Sequence, residues 1–255
     1  MLYKILGLLF LWGMILFTVL QTDTILWILS ALCSIIFMHF ISKWTKQGGF
    51  SQIGLQMQKR WLRYLFFGCL IGVGYILFRY IIMFSAGIIT FHPISFDVNP
   101  LIISTVILLV STAYIGFAEE IVFRGYLINM LHPYFSNKIV IIISATVFTL
   151  GHLVDGNFNI SRIFFFFFSG LFFATCYIVT RSLWFVAGIH WSWDFTWFYL
   201  GADGSTSSSK IIDVTLNQEM SFYYGWIDAI IALGLFLLLL LLTKRSFSKT
   251  TTISG

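Results

Sequence analysis

Apolar residues run through this chain in long, nearly unbroken stretches, and polar residues gather between them. A helix needs about 20 apolar residues to cross a hydrocarbon core roughly 30 Å thick. Stretches of that kind predict helices near residues 3–20, 24–42, 61–85, 101–130, 138–154, 162–180, 183–200 and 222–242. The fold expected is all-α: a polytopic membrane helix bundle of about eight transmembrane helices. Residues 1–255 would form a single integral membrane domain. The longest polar stretch, Gly201 to Ser221, is rich in Gly, Ser, Thr, Asn and Asp and reads as a loop. No internal repeat is visible.

Composition turns the pattern into a requirement. The chain is 59% hydrophobic and 10% charged, where soluble globular domains carry roughly 25% charged residues. Its mean hydropathy is +0.93. A soluble fold of this length has no interior large enough for so much apolar surface, so lipid must act as solvent. Phe contributes 29 residues, including the run Phe164 to Phe168, which suits lipid-facing and interfacial surface. Lys4 before an apolar run resembles the start of a signal peptide. The residues that follow, Thr18-Val19-Leu20-Gln21, lack a small-residue cleavage pattern, so an uncleaved first helix is expected. Cys33, Cys69 and Cys176 lie apart in apolar segments with no CxxC or Cys/His zinc pattern, and structural disulfides are not expected.

Charge then gives the helices a direction. The net charge is +5, which in a membrane protein reports cytoplasmic loops and implies no nucleic-acid partner. Lys43, Lys46, Lys59, Arg60 and Arg63 fall between the second and third spans. Lys138 follows the fourth, Arg181 the sixth, and Lys244, Arg245 and Lys249 the eighth. The alternate segments, Gln21 to Asp23, Phe91 to Pro100, Asp155 to Arg162 and Gly201 to Ser221, are poorer in Lys and Arg. The expected arrangement is a multi-pass plasma membrane protein with both termini cytoplasmic.

Ionisable residues inside membrane helices cost roughly 2.5–3.5 kcal/mol each on insertion scales and default to functional hypotheses. Three groups stand out. In the fourth span, Glu119 and Glu120 are adjacent and point about 100° apart on a helix. Glu120 and Arg124, spaced i,i+4, can pair on one face, which leaves Glu119 without a local partner and suited to acid–base work. A salt-bridged polar patch is the bland alternative. The fifth span ends with Gly151-His152, where a lone histidine is more often a hydrogen-bonded core residue, and Gly151 would admit a neighbouring helix. The seventh carries His190 and Asp194, again i,i+4, where the carboxylate can orient the imidazole or simply satisfy it.

Together these groups suggest one wet cavity, since each would be costly facing lipid. At 1.5 Å per residue, Glu119 and His152 come out roughly 15–20 Å from the cytoplasmic side and His190 about 10 Å from it. The expected site opens to that half of the membrane. A carboxylate and two imidazoles on one water can deprotonate it for attack on a carbonyl, with or without a metal. Neither GxSxG nor HExxH is present, so a hydrolase here would use activated water.

Glu119-Glu120-x-x-x-Arg124, Phe148-x-x-x-His152 and His190-x-x-x-Asp194 resemble, in order and spacing, the three motifs of the CAAX protease and bacteriocin-processing family, also called Abi. This family contains the Ras-converting CAAX prenyl endopeptidases. The resemblance covers roughly residues 100–200. It implies an intramembrane endopeptidase with catalytic residues Glu119, His152, His190 and Asp194, supported by Glu120, Arg124 and Phe148. Glu119 would be the base and His152 a water or metal partner, with His190 a second. The position held by Asp194 is most often Asn in the family, which weakens an oxyanion role and favours one orienting His190 or a metal. Zinc or another divalent metal, with Glu119, His152 and His190 as candidate ligands, and a metal-free glutamate mechanism both remain open. The implied partners are membrane lipid and a membrane-associated peptide or protein substrate. Peptide maturation, regulation or bacteriocin self-immunity are the roles the family suggests. A non-catalytic scaffold that retains the motifs, or an ion transporter, are the competing readings.

Overall fold

The computed structural model describes residues 1–57, 59–94, 98–154, 159–201 and 210–248. All eight expected helical regions are present. They are α1 (Leu2–Val19), α2 (Thr24–Trp44), α3 (Trp61–Ser85), α4 (Val98–Glu120) continued by α5 (Leu127–Leu131), α6 (Asn137–Gly151), α7 (Ile160–Thr180), α8 (Leu183–Tyr199) and α9 (Ser221–Ser248). Six helical stretches are long and apolar enough to cross a membrane, among them the 34-residue Val98–Leu131. Helix α6 has 15 residues and α8 has 17, both short of a full crossing. Helices satisfy their own backbone hydrogen bonds, which is why an apolar run placed in lipid takes this form. Asp23 caps α2 by accepting from Leu26 N, and Asn159 caps α7 by accepting from Ser161 N.

The polar stretch expected to be a loop contains a strand. Residues β2 (Ile212–Leu216) pair antiparallel with β1 (Ile89–Pro93), with Ile89 opposite Leu216 and Pro93 opposite Ile212. The period-two pattern Ile212-Asp213-Val214-Thr215-Leu216 carries the signal for it, outweighed in the sequence by the surrounding Gly and Ser. Lys210 Nζ donates to Asp213 Oδ1 at 2.6 Å, and this bond holds the exposed Asp213 carboxyl below its ordinary range.

The interior of the bundle is built on α7 and α8. In α7 56% of the span is buried inside the protein, against 17–33% for the other five long spans. Helix α8 lies between α3 and α4, and small residues set that spacing. A Cβ on Gly72 would stand 2.3 Å from the Ile189 carbonyl oxygen, and one on Gly68 2.3 Å from that of Phe185. Close backbone approach through small residues is the usual means of packing helices in lipid. Tyr75 of α3 stacks on Trp193 of α8 with ring centroids 3.6 Å apart. The Phe run is largely turned inward, contrary to the lipid-facing expectation. Phe165, Phe166, Phe167 and Phe168 pack against the core and only Phe164 is exposed. The three cysteines are free.

Candidate active site

Three helix segments bring the predicted residues together. Glu119 and Glu120 end the regular part of α4, and Ile121–Tyr126 continues as a wider, π-type turn before α5. Such widened turns recur at functional sites because they reset the register of the side chains that follow. Helix α4 lies close against α8 at Gly116, where a Cβ would meet Trp191 N at 2.8 Å. That approach sets Glu119 and Glu120 beside His190. His152 stands at the C-terminal end of α6. Gly151 faces the side chains of Phe123 and Trp12 rather than a helix backbone, so it admits a tryptophan edge and not a second helix.

Glu120 is fully buried and serves two partners with one oxygen. Arg124 Nη1 donates to its Oε1 at 2.9 Å, the i,i+4 pair expected from the sequence. The same Oε1 receives a hydrogen bond from His190 Nδ1, also 2.9 Å. The imidazole is therefore oriented by a carboxylate on another helix. Its remaining nitrogen, Nε2, lies 3.6 Å from Asp194 Oδ2 and 4.0 Å from Glu119 Oε2. His190 also stacks on Phe173, 5.2 Å between centroids and 19° between planes.

His152 is fixed in the same manner. Its Nδ1 donates to the Phe148 carbonyl oxygen at 2.9 Å, which leaves Nε2 facing Glu119 Oε2 at 3.5 Å. Rings of Phe148 and Phe166 lie 4.3 and 4.2 Å from the imidazole. Phe148 also lies under the Arg124 guanidinium at 4.1 Å, so this one residue supports both motifs with its ring and orients His152 with its backbone. Glu119 Oε2 is buried and, among the described residues, has no hydrogen-bond partner. It is the point on which the two free imidazole nitrogens converge, so that a water beside all three atoms would be within reach of each.

Glu119, His152, His190 and Asp194 line one cavity of about 890 Å³, walled mainly by aromatic residues of α7, α8 and α9. It does not open where the sequence suggested. Its lining runs from Glu119 to Asn159 and Ser161 at the start of α7, Phe198 near the end of α8, and Ser221 at the start of α9. That is the end of the bundle opposite the Lys- and Arg-rich connections. Residue counting gave a depth for Glu119 and His152 but not which helix ends line the cavity around them.

Among the described residues no group of three His, Cys, Asp or Glu side chains is arranged to hold a metal ion. In Glu119, His152 and His190 both Nδ1 atoms are held by protein acceptors, which leaves both Nε2 atoms free to act on water or to bind a metal. What the arrangement provides directly is acid–base chemistry.

One buried charged pair escaped the sequence reading. Arg79 of α3, fully buried, meets Asp228 of α9 at 2.5 Å, also donates to the Tyr224 hydroxyl, and lies 4.4 Å from the Trp197 ring centroid. Both are ionisable residues in apolar spans, so the cost argument that picked out Glu119 applies equally to them. Asp228, Tyr224 and Trp197 form the cavity wall remote from Glu119.

No curated protein and no solved structure matches the chain. The helices that build the site do match a known family: over residues 101–196 the chain fits the model of the Rce1-like type II CAAX prenyl endopeptidases, the CAAX protease family that its three motifs resemble.

Proposed function

We propose that this membrane protein is an endopeptidase that cleaves membrane-associated peptides or proteins with water activated by Glu119. The observation that carries the reading is the position of Glu119 Oε2, buried, without a hydrogen-bond partner, and faced by His152 Nε2 and His190 Nε2 in a cavity large enough for a peptide segment. The family supports protease activity.

In this mechanism a water between Glu119 and His152 gives one proton to the carboxylate, and its oxygen attacks the substrate carbonyl carbon. The carbonyl oxygen becomes an oxyanion. His190, held from behind by Glu120, is placed to donate to it from Nε2 when the ring carries its second proton. The C–N bond then breaks as Glu119 returns the proton to the leaving amine. Asp194 steadies the outer side of His190 and accepts from it between turnovers. Peptide maturation or self-immunity to a bacteriocin fits a substrate that reaches the enzyme in the membrane.

The test is cleavage of candidate precursor peptides by the purified protein, with and without a chelator, beside a Glu119→Ala control. General-base removal should lower the rate by about 10²–10⁴-fold. Full cleavage by Glu119→Ala would sink the proposal and favour a scaffold that keeps the motifs for packing. Loss of cleavage on chelation would replace the metal-free route.

A further inference from the structure

The two ends of the bundle carry opposite charge. Among the described residues, every Lys and Arg at helix ends and connections except Arg162 and Lys210 lies at the end where α2 and α7 finish and α3, α6 and α8 begin. The described acidic residues outside the spans, Asp23, Asp213 and Glu219, belong to the connections at the other end. The two exceptions are engaged locally: Arg162 lies over the Phe166 ring at 5.2 Å, and Lys210 pairs with Asp213. The asymmetry is that of a chain whose basic end stays in the cytoplasm.

The cavity opens at the acidic end. Its inner wall holds Glu119 and His152, and its outer lining is Asn159, Ser161, Phe198 and Ser221. The β1–β2 ribbon, which joins α3 to α4 on one side and leads into α9 on the other, lies at this same end. We infer that the cavity receives its substrate from the extracytoplasmic side of the membrane, so that the substrate class is a peptide already exported or held in the outer leaflet. This rests on the endopeptidase reading for the word substrate, and on charge and cavity geometry alone for the side. A peptide cut here has passed the membrane first, which puts the reaction after an export step.

The test reads topology without reading cleavage. Single cysteines are introduced into the full-length chain by Ser221→Cys and Gln218→Cys at the cavity's end, and by Ser136→Cys and Lys138→Cys at the opposite end. All four positions are exposed. The native thiols lie within the spans α2, α3 and α7, away from the aqueous phase that carries the reagent, and the unaltered protein serves as the blank. With a membrane-impermeant maleimide on intact cells, the first pair should label and the second pair should label only after permeabilisation. The reverse pattern, or equal labelling of both pairs on intact cells, overturns the inference. Glu119→Gln in the same background keeps the labelling pattern whether or not it cleaves, so a failed orientation and a failed protease assignment are told apart.

Discussion

Two adjacent glutamates should behave as different kinds of residue. Glu120 is fully buried, and its Oε1 takes one hydrogen bond from Arg124 and one from His190. Arg124 is fully buried as well, so Glu120→Gln leaves its guanidinium without the carboxylate that pairs with it. Breaking a buried pair by neutralising one member costs about 3–5 kcal/mol. For a chain of this size a loss of 1 kcal/mol lowers the midpoint by roughly 2–4 °C, so the drop should be on the order of 10 °C. Among the described residues Glu119 Oε2 has no hydrogen-bond partner to lose, and Glu119→Gln should leave the midpoint nearly unchanged. The assay is thermal unfolding of both variants in one detergent, followed by cleavage below both midpoints. A control removes the buried charge altogether: Glu120→Gln with Arg124→Met should recover most of the lost stability, because a buried ion pair is often replaced by apolar groups at little cost. That double variant should still cleave poorly, since His190 has lost the carboxylate that orients it. Equal melting of Glu119→Gln and Glu120→Gln, or no recovery in the double variant, would refute the division of roles.

Other substitutions probe the remaining supports. His152→Ala should abolish cleavage and leave the protein folded and inserted, checked by its elution profile in detergent; full activity would remove His152 from the mechanism. Gly116→Val forces a side chain against Trp191 N, where even a Cβ stands at 2.8 Å, and should cost about 1–3 kcal/mol while reducing cleavage more than stability predicts, because it moves Glu119 away from His190. Asp228→Asn strips Arg79 of its carboxylate and should lower the midpoint about as much as Glu120→Gln, with α9 becoming more accessible to proteolysis at its N-terminal end.

The spans were readable in the sequence because lipid leaves an apolar segment little choice but to be a helix. The Glu120–Arg124 pair was readable because both members lie on one helix four residues apart. What lies across helices was not. Spacing pointed to Asp194 as the carboxylate that orients His190, but Nδ1 donates its hydrogen bond to Glu120, 70 residues earlier in the chain. Arg79 and Asp228 are each visible as charges in apolar runs, yet their pairing spans 149 residues and no local rule connects them. The Phe run looked like lipid-facing surface because aromatic content does not distinguish lipid from a cavity wall. The strand β2 was hidden for a different reason: its partner β1 lies more than a hundred residues away, and a five-residue alternation means little until it is paired.

The short helix α6 has a consequence for the membrane itself. At 1.5 Å per residue its 15 residues rise only about 22 Å, well under the roughly 30 Å of an average hydrocarbon core. Its outward residues Ile139, Ile142 and Leu150 are exposed and apolar along nearly that whole length, as is Val154 just beyond it. Lipid beside α6 must therefore compress, or tilt its chains, to match. The compression falls next to His152, at the end of the helix that reaches the candidate site. On the proposed mechanism, acyl-chain length would act on hydrolysis: short-chain bilayers would bring bulk water close to the site, and thick, sterol-stiffened ones would hold it away.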